Sequence, residues 1–194
     1  MAFPHHRFLT EPSATNIIAY DPRMLSAKQY DNITLPNQVS GHISAKRLPR
    51  SLQIVTFYHH SSQIPLQVFH THLSYGEPEL VKQQLAIINN HLQSNLHDID
   101  RLIVGDLNHE YHSDTLQLFF KQGFVDTYAD IHHAYYDGPT YHAFQSDFNS
   151  QSKVDWILLD SKRLRVIDAQ VLDHIPPPQC GSDHYFVTAT LGKR

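Results

Sequence analysis

The chain has 194 residues, of which 41% are hydrophobic and 18% are charged. A chain of this length and composition can bury one sizeable core, so we predict a single folded domain over residues 1–194 and not a disordered protein. Its 15 lysines and arginines against 19 acidic residues give a formal net charge of −4. Such a protein repels nucleic acid overall, so a polyanionic partner would need a local positive patch or a metal ion.

The sequence contains none of the long apolar runs that cross a membrane as a helix. Its first twelve residues also lack the continuous apolar core of a secretory signal. The single cysteine, Cys180, cannot form an internal disulfide, which agrees with a reducing compartment. Together these features favour a cytoplasmic protein without a membrane span, and they indicate no particular oligomeric state.

Short segments rich in β-branched and aromatic residues predict strands along most of the chain. They lie at 15–20, 51–60, 65–73, 101–107, 153–160, 164–173 and 184–191. The polar residues at 60–64 are typical of a turn, so we expect the second and third of these strands to form a hairpin.

Two helices are predicted between the strands. Residues 77–94 carry apolar side chains at helical spacing, namely Val81, Leu85, Ile88 and Leu92. A second helix is predicted to begin at Ser113 or Asp114, since either side chain can cap it, and to end at Gly123.

Acidic, amide and histidine side chains stand at the ends of four predicted strands. They are His72 in the 65–73 strand, Asp106 and Asn108 at the end of the 101–107 strand, Asp155 near the start of the 153–160 strand, and Asp183 and His184 at the start of the last strand. If these strands are neighbours, their ends form one acidic cleft that contains histidine.

Most of these residues also have an ordinary structural explanation. Asp106 and Asn108 are typical turn residues, and the run that contains Asp183 could be a turn as well. His72 could be a hydrogen-bonded, half-buried histidine. Asp155 is harder to explain in this way, because an acid within an apolar strand is costly to bury without a partner. All of these structural explanations would have to hold at once.

Several short motifs occur in an order and spacing that resemble a known group of enzymes. They are HTHL (70–73), GDLN (105–108), TYHAF (140–144), KVDWILL (153–159) and GSDHYFVTATL (181–191). This set is similar to the endonuclease/exonuclease/phosphatase superfamily, the pancreatic-deoxyribonuclease-like, metal-dependent phosphoesterases. The resemblance extends from about residue 16 to the end of the chain. It implies a four-layered α/β sandwich, in which two packed β-sheets are flanked by helices.

The resemblance implies a catalytic role for five residues. His184 would act on the scissile phosphate as general base or as phosphate ligand, and Asp155 would orient its imidazole. Asp106 would activate or position the attacking water, while Asn108 would hydrogen-bond the phosphate oxygens in the transition state. His72 would contact the phosphate at the end of its strand. An acid and a histidine side by side before the last strand are thereby explained.

The resemblance also implies a metal ion and a substrate-binding loop. Asp183 and Asp106 would hold a hard divalent cation, Mg²⁺ or Mn²⁺, because the donors are oxygen atoms and not paired thiolates. Tyr141 and His142 would bind substrate by stacking on a ring or base, although they could equally pack the edge of the sandwich. Members of the superfamily act on nucleic acids, phospholipid head groups and small phosphoesters, so the substrate is predicted only as a phosphorylated molecule.

One departure from the family pattern leaves two hypotheses open. Family members normally begin with a strand that ends in asparagine and a second strand that ends in a glutamate, the principal metal ligand. Residues 1–22 resemble the loop and strand that come after that glutamate, so we expect an N-terminally incomplete sandwich. The protein would then be either a phosphoesterase with a weakened metal site or a shortened, non-catalytic domain that binds a phosphorylated ligand or a protein partner. A base together with its orienting acid favours the enzyme.

Overall fold

The computed structural model describes residues 4–11, 16–38, 49–94, 98–145, 152–174, 176, 179 and 181–194. It divides the chain into two compact units, residues 1–102 and 103–194. Cys180 lies outside the described residues, and so do parts of several predicted loops. Among the described helices, none combines the length and the apolar character that crossing a membrane requires.

The first unit is built mainly from antiparallel strands. Its strands are β1 (Arg7–Leu9), β2 (Ile18–Tyr20), β3 (Leu25–Leu35), β4 (Arg50–His59) and β5 (Pro65–Thr71). β1 pairs with β2, and the other three follow the order β3-β4-β5. The predicted hairpin between β4 and β5 is confirmed, and the Gln63 N–H donates to the His59 carbonyl within its turn. β3 was not predicted, because Lys28, Gln29 and Asp31 interrupt its apolar pattern.

Helix α1 (Pro78–Ser94) confirms the helical pattern of the first unit. Its buried residues are Leu80, Val81, Gln84, Ile88 and Leu92. Gln84 is polar, yet it is buried without penalty because its amide bonds to protein atoms on both sides. Its Nε2 donates to the Pro36 carbonyl at 2.6 Å and to Ser74 Oγ at 2.8 Å, and its Oε1 accepts from the Ser74 N–H at 3.0 Å.

A row of polar side chains crosses β3, β4 and β5. Gln53 on β4 faces His70 on β5, and His70 Nδ1 lies 3.0 Å from Gln53 Oε1. The amide of Gln53 also donates to the hydroxyl of Tyr30 and to the Asn16 carbonyl. Burial, with the nearby charge of His72, lowers the pKa of His70 to about 4. His70 is therefore a neutral, hydrogen-bonded part of the sheet at physiological pH.

The second unit continues from the end of β6 (Asp100–Asp106). Its further elements are α2 (Asp114–Lys121), β7 (Val125–Asp126), α3 (Thr127–His132), β8 (Asp155–Asp160), β9 (Leu164–Val171) and β10 (Val187–Lys193). The strand order is β6-β8-β7, and β9 pairs with β10. Of these elements β7 and α3 were not predicted, because each is too short to show a periodic pattern.

Helix α2 begins where the sequence predicts. Ser113 is its N-cap, and the Ser113 hydroxyl accepts from the Leu116 N–H at 3.3 Å. Gly123 comes after the helix with a φ of +95°, a left-handed conformation that glycine adopts at little cost. Phe119 points into the core and is fully buried.

A buried ion pair links the start of α3 to the segment before β8. Lys153 Nζ lies 2.8 Å from Asp126 Oδ1, and the two side chains are only 4% and 0% exposed. The ammonium also stands 4.2 Å from the centre of the Trp156 ring. Burial lowers the pKa of Lys153, while the charge of Asp126 opposes that effect. Asp126 also caps α3 by accepting from the Tyr128 N–H.

Candidate active site

At the centre of the site a histidine lies between two carboxylates. His184 Nδ1 is 2.8 Å from Asp155 Oδ2, and His184 Nε2 is 4.0 Å from Asp106 Oδ2. Because a carboxylate only accepts hydrogen bonds, the contact with Asp155 assigns a proton to Nδ1. Nε2 then faces Asp106 as an acceptor whenever the ring is neutral. The predicted contact between Asp155 and His184 is present.

Two strands of the second unit bring the carboxylates together. Asp106 is the last residue of β6 and Asp155 is the first residue of β8. The Leu107 N–H donates to the Val154 carbonyl at 2.9 Å, so the end of β6 lies beside the start of β8. Asp155 is half-buried, and its partner is the imidazole that the sequence predicts.

Asn108 and Asp106 form a tight turn. The backbone N–H of Asn108 donates to Asp106 Oδ1 at 2.8 Å, and the φ of Asn108, +54°, is left-handed. Asparagine and aspartate favour such local side-chain-to-backbone turns, and asparagine tolerates the left-handed conformation. The turn holds one oxygen of Asp106 in place, while the other oxygen faces His184.

The loop that contains Tyr141 lies against the histidine. The ring centres of Tyr141 and His184 are 4.9 Å apart, and the two residues form an isolated β-bridge. Tyr141 is half-buried, so the structure places this predicted substrate-binding residue at the site. Asp183 precedes His184, and the Asp183 carbonyl accepts from the N–H groups of His142 and Ala143 at 2.9 and 3.2 Å.

His142 occupies a different environment from Tyr141. It is 2% exposed, and its ring centre lies 4.4 Å from that of Tyr185. Its Nδ1 accepts from the Phe144 N–H at 3.2 Å, whereas its Nε2 has no hydrogen-bond partner among the described residues. His142 therefore packs the loop in this structure, and its role in binding substrate stays a prediction.

The electrostatic surroundings of His184 favour the protonated ring. Burial acts to lower the pKa of His184, but the hydrogen bond to Asp155 and the charges of Asp155, Asp106 and Asp183 outweigh it. The pKa of His184 is therefore raised above its ordinary value of 6.5. A ring in this setting accepts a proton readily, because the two carboxylates stabilise the resulting positive charge.

The same group of side chains has the composition of a metal site. Donor atoms of Asp106, Asp155 and His184 all lie within 4.8 Å of one another. Carboxylate oxygens are the ligands that Mg²⁺ and Mn²⁺ prefer in proteins. Asp155 already bonds to His184, so among the three Asp106 has the carboxylate best placed to hold such an ion. The donor set therefore fits a hard divalent cation.

His72 is predicted to contact the phosphate. His72 belongs to the first unit, directly after β5, and is half-buried there, so its contact with a phosphate stays a prediction.

Thr140 begins the TYHAF motif, but the motif predicts no role for it. Its hydroxyl accepts from the N–H groups of Val154 and Asp155 at 2.9 and 3.1 Å. A threonine at the head of the TYHAF segment is the sequence feature that marks this contact.

Several solved structures share this fold at low sequence identity. The Bacteroides thetaiotaomicron mannosyl-6-phosphatase Bt3783 is 15% identical with a TM-score of 0.77, over 97% of this chain and 78% of that chain. The human Nocturnin catalytic domain with bound sulfate anion is 16% identical with a TM-score of 0.71, over 97% and 72%. D. rerio TDP2 complexed with a single-strand DNA product is 16% identical with a TM-score of 0.70, over 97% and 78%. The likeness confirms the predicted α/β sandwich.

Sequence comparison identifies the family. No curated protein matches the chain in sequence. The model of the endonuclease/exonuclease/phosphatase family, however, matches residues 8–184, which include all the residues predicted at the site. The chain therefore belongs to the endonuclease/exonuclease/phosphatase family.

Proposed function

We propose that the protein is a divalent-metal-dependent phosphoesterase in which His184 is the general base. The observation that carries this proposal is the position of His184 between Asp155 at 2.8 Å and Asp106 at 4.0 Å. A histidine oriented by a carboxylate at Nδ1, with Nε2 placed to accept a proton, is an arrangement that supports general-base catalysis. A domain that only binds a phosphorylated ligand has no need of an oriented base.

The distance between His184 Nε2 and Asp106 Oδ2 suits one bridging water molecule. With hydrogen bonds of about 2.8 Å to each acceptor, a separation of 4.0 Å gives an angle of roughly 90° at the water oxygen. Such a water donates both protons and directs its lone pairs away from the two side chains. As its oxygen bonds to phosphorus, one proton passes to Nε2 and the ester oxygen leaves. Asp155 stabilises the resulting imidazolium.

Further residues would supply binding and charge stabilisation. The Asn108 amide would donate to the phosphate oxygens as charge develops on them, and His72 would contact the phosphate. Asp106 and Asp183 would hold Mg²⁺ or Mn²⁺ through carboxylate oxygens. When bound, such an ion neutralises the phosphate and polarises its P–O bond. This also accounts for the use of a polyanionic substrate by a protein with a net charge of −4.

Two classes of phosphoester are proposed as substrates. The structures that share the fold include a mannosyl-6-phosphatase and TDP2 with a single-strand DNA product, so monoesters and polynucleotides are both reasonable substrates. A small phosphoester or a phospholipid head group would use the same P–O chemistry. Tyr141, half-buried beside His184, would contact the group that carries the phosphate.

Hydrolysis of bis(p-nitrophenyl) phosphate and of p-nitrophenyl phosphate tests the proposal. We expect turnover that requires added Mg²⁺ or Mn²⁺ and that disappears with a chelator. A preference for one of the two esters then separates a diesterase from a monoesterase. If neither ester nor single-stranded DNA is hydrolysed with either metal, the proposal fails, and a phosphate-binding domain becomes the better account.

A further inference from the structure

Thr140 connects the two chain segments that carry the base and its orienting acid. Its side chain is fully buried, and its Oγ1 accepts from the Val154 N–H at 2.9 Å and from the Asp155 N–H at 3.1 Å. Its carbonyl accepts from the Tyr185 N–H at 2.7 Å. One residue therefore bonds to the backbone of Asp155 and to the residue directly after His184.

The residues after Thr140 hold the other side of the histidine. The N–H groups of His142 and Ala143 donate to the Asp183 carbonyl at 2.9 and 3.2 Å. The backbone of His184 is thus fixed on both sides by the segment 140–143. These contacts use backbone atoms, which almost any residue supplies. The bond to Asp155, in contrast, depends on the hydroxyl of Thr140.

We infer that the Thr140 hydroxyl is a positioning group for the Asp155–His184 pair, an inference that rests on the proposed function. The bond between Asp155 Oδ2 and His184 Nδ1 is 2.8 Å long and weakens steeply with distance and angle. The Thr140 hydroxyl anchors the backbone N–H from which the Asp155 side chain extends. Without that hydroxyl, the N–H groups of Val154 and Asp155 lose an acceptor, and β8 shifts relative to His184 to find another.

Two matched pairs of variants isolate the hydroxyl. In Thr140→Val a methyl group replaces the hydroxyl of the wild-type threonine. Thr140→Ser and Thr140→Ala differ from each other only in the hydroxyl. Each protein is assayed for kcat and KM on bis(p-nitrophenyl) phosphate. Each is also examined by NMR for the Nδ1 proton of His184, which is assigned by its loss in His184→Gln. This proton resonates far downfield when it is held by a carboxylate.

We expect the hydroxyl to decide both measurements. Thr140→Val and Thr140→Ala should lower kcat by about 10- to 100-fold, the range that a misplacement near 1 Å causes, and leave KM nearly unchanged because Thr140 is buried. Both should also move the Nδ1 proton upfield or lose it. Thr140→Ser should stay within about threefold of the wild-type kcat and keep the resonance, since a factor of three is less than about 0.7 kcal/mol.

Other results separate the inference from the proposed function. If the wild type has no turnover but, among the Thr140 variants, only Thr140→Val and Thr140→Ala lose the resonance, the proposed function fails and the positioning role stands. If Thr140→Val and Thr140→Ala fold and keep both the wild-type kcat and the resonance, the inference is wrong. If Thr140→Ser folds but Thr140→Val and Thr140→Ala do not, the hydroxyl serves the fold and not the positioning of the pair, which also overturns the inference.

Discussion

Replacing Lys153 by methionine should destabilise the second unit strongly. The substitution leaves the Asp126 carboxylate in a site where its side chain is 0% exposed. Asp126 Oδ1 would keep only the Tyr128 N–H at 3.3 Å, and Asp126 Oδ2 has no hydrogen-bond partner within the described part of the chain. Loss of one partner from a buried ion pair costs about 3–5 kcal/mol, so we expect a decrease of that size in the free energy of unfolding.

A second substitution should recover a large part of this loss. Asp126→Asn removes the charge but keeps a side-chain oxygen that caps α3, because asparagine is as good an N-cap as aspartate. The double variant Lys153→Met/Asp126→Asn should therefore be about 2 kcal/mol more stable than Lys153→Met alone. Its remaining deficit, about 1–3 kcal/mol, includes the lost contact between the ammonium and the Trp156 ring.

Urea unfolding at pH 7 of the wild type, both single variants and the double variant measures these differences as a cycle. The coupling free energy equals this recovery of about 2 kcal/mol plus the cost of Asp126→Asn alone, so a value of at least about 2 kcal/mol is the expected result. The reasoning is refuted if the two single effects simply add, or if Lys153→Met changes the free energy of unfolding by less than about 1 kcal/mol, as exposed ion pairs do.

Three further predictions concern titration and capping. Asp155→Asn removes the main influence that raises the pKa of His184. The rising limb of the pH–rate profile, which lies above pH 6.5 in the wild type, should therefore move to lower pH, and the plateau rate should fall. A rising limb that does not move would contradict this prediction. The pKa of His70 is about 4 in the folded protein and 6.5 in the unfolded chain, so the unfolded chain binds the proton first as the pH falls. Stability should drop by about 3 kcal/mol between pH 6.5 and 4, as measured by urea unfolding, with a flatter curve in His70→Asn. Ser113→Ala should lower the free energy of unfolding by about 1 kcal/mol through loss of the α2 cap, and an unchanged value would contradict that role.

Long periodic patterns account for the elements that the sequence predicts correctly. The β-branched runs of β4, β5, β6 and β8 bury apolar side chains, and α1 shows a clear helical repeat. β3 was not predicted, because a long antiparallel strand with one exposed face tolerates Lys28 and Asp31, which are residue types common in loops. The two-residue β7 and the six-residue α3 carry too few positions for a periodicity to appear.

The residues of the site differ in the same way, because local sequence predicts the roles of some and not of others. An acid within an apolar strand needs a partner, so local sequence predicts that Asp155 is paired, whereas the family resemblance implies that this partner is a histidine. The parts played by Thr140 and Lys153 depend on atoms from segments far away in sequence. Thr140 and Lys153 begin the TYHAF and KVDWILL motifs, but the motifs do not show which distant atoms these two residues contact. Only the fold brings the Thr140 hydroxyl to Asp155 and the Lys153 ammonium to Asp126.

The kcat of His184→Ala in the presence of Mg²⁺ tests the central claim most directly. Removal of a general base should lower kcat on bis(p-nitrophenyl) phosphate by about 10²- to 10⁴-fold, with the fold retained by circular dichroism. The matched control is His174→Ala, which removes an exposed histidine of the same unit and should leave kcat unchanged. A His184→Ala variant that keeps kcat within about threefold of the wild type, a change smaller than about 0.7 kcal/mol, would contradict the account.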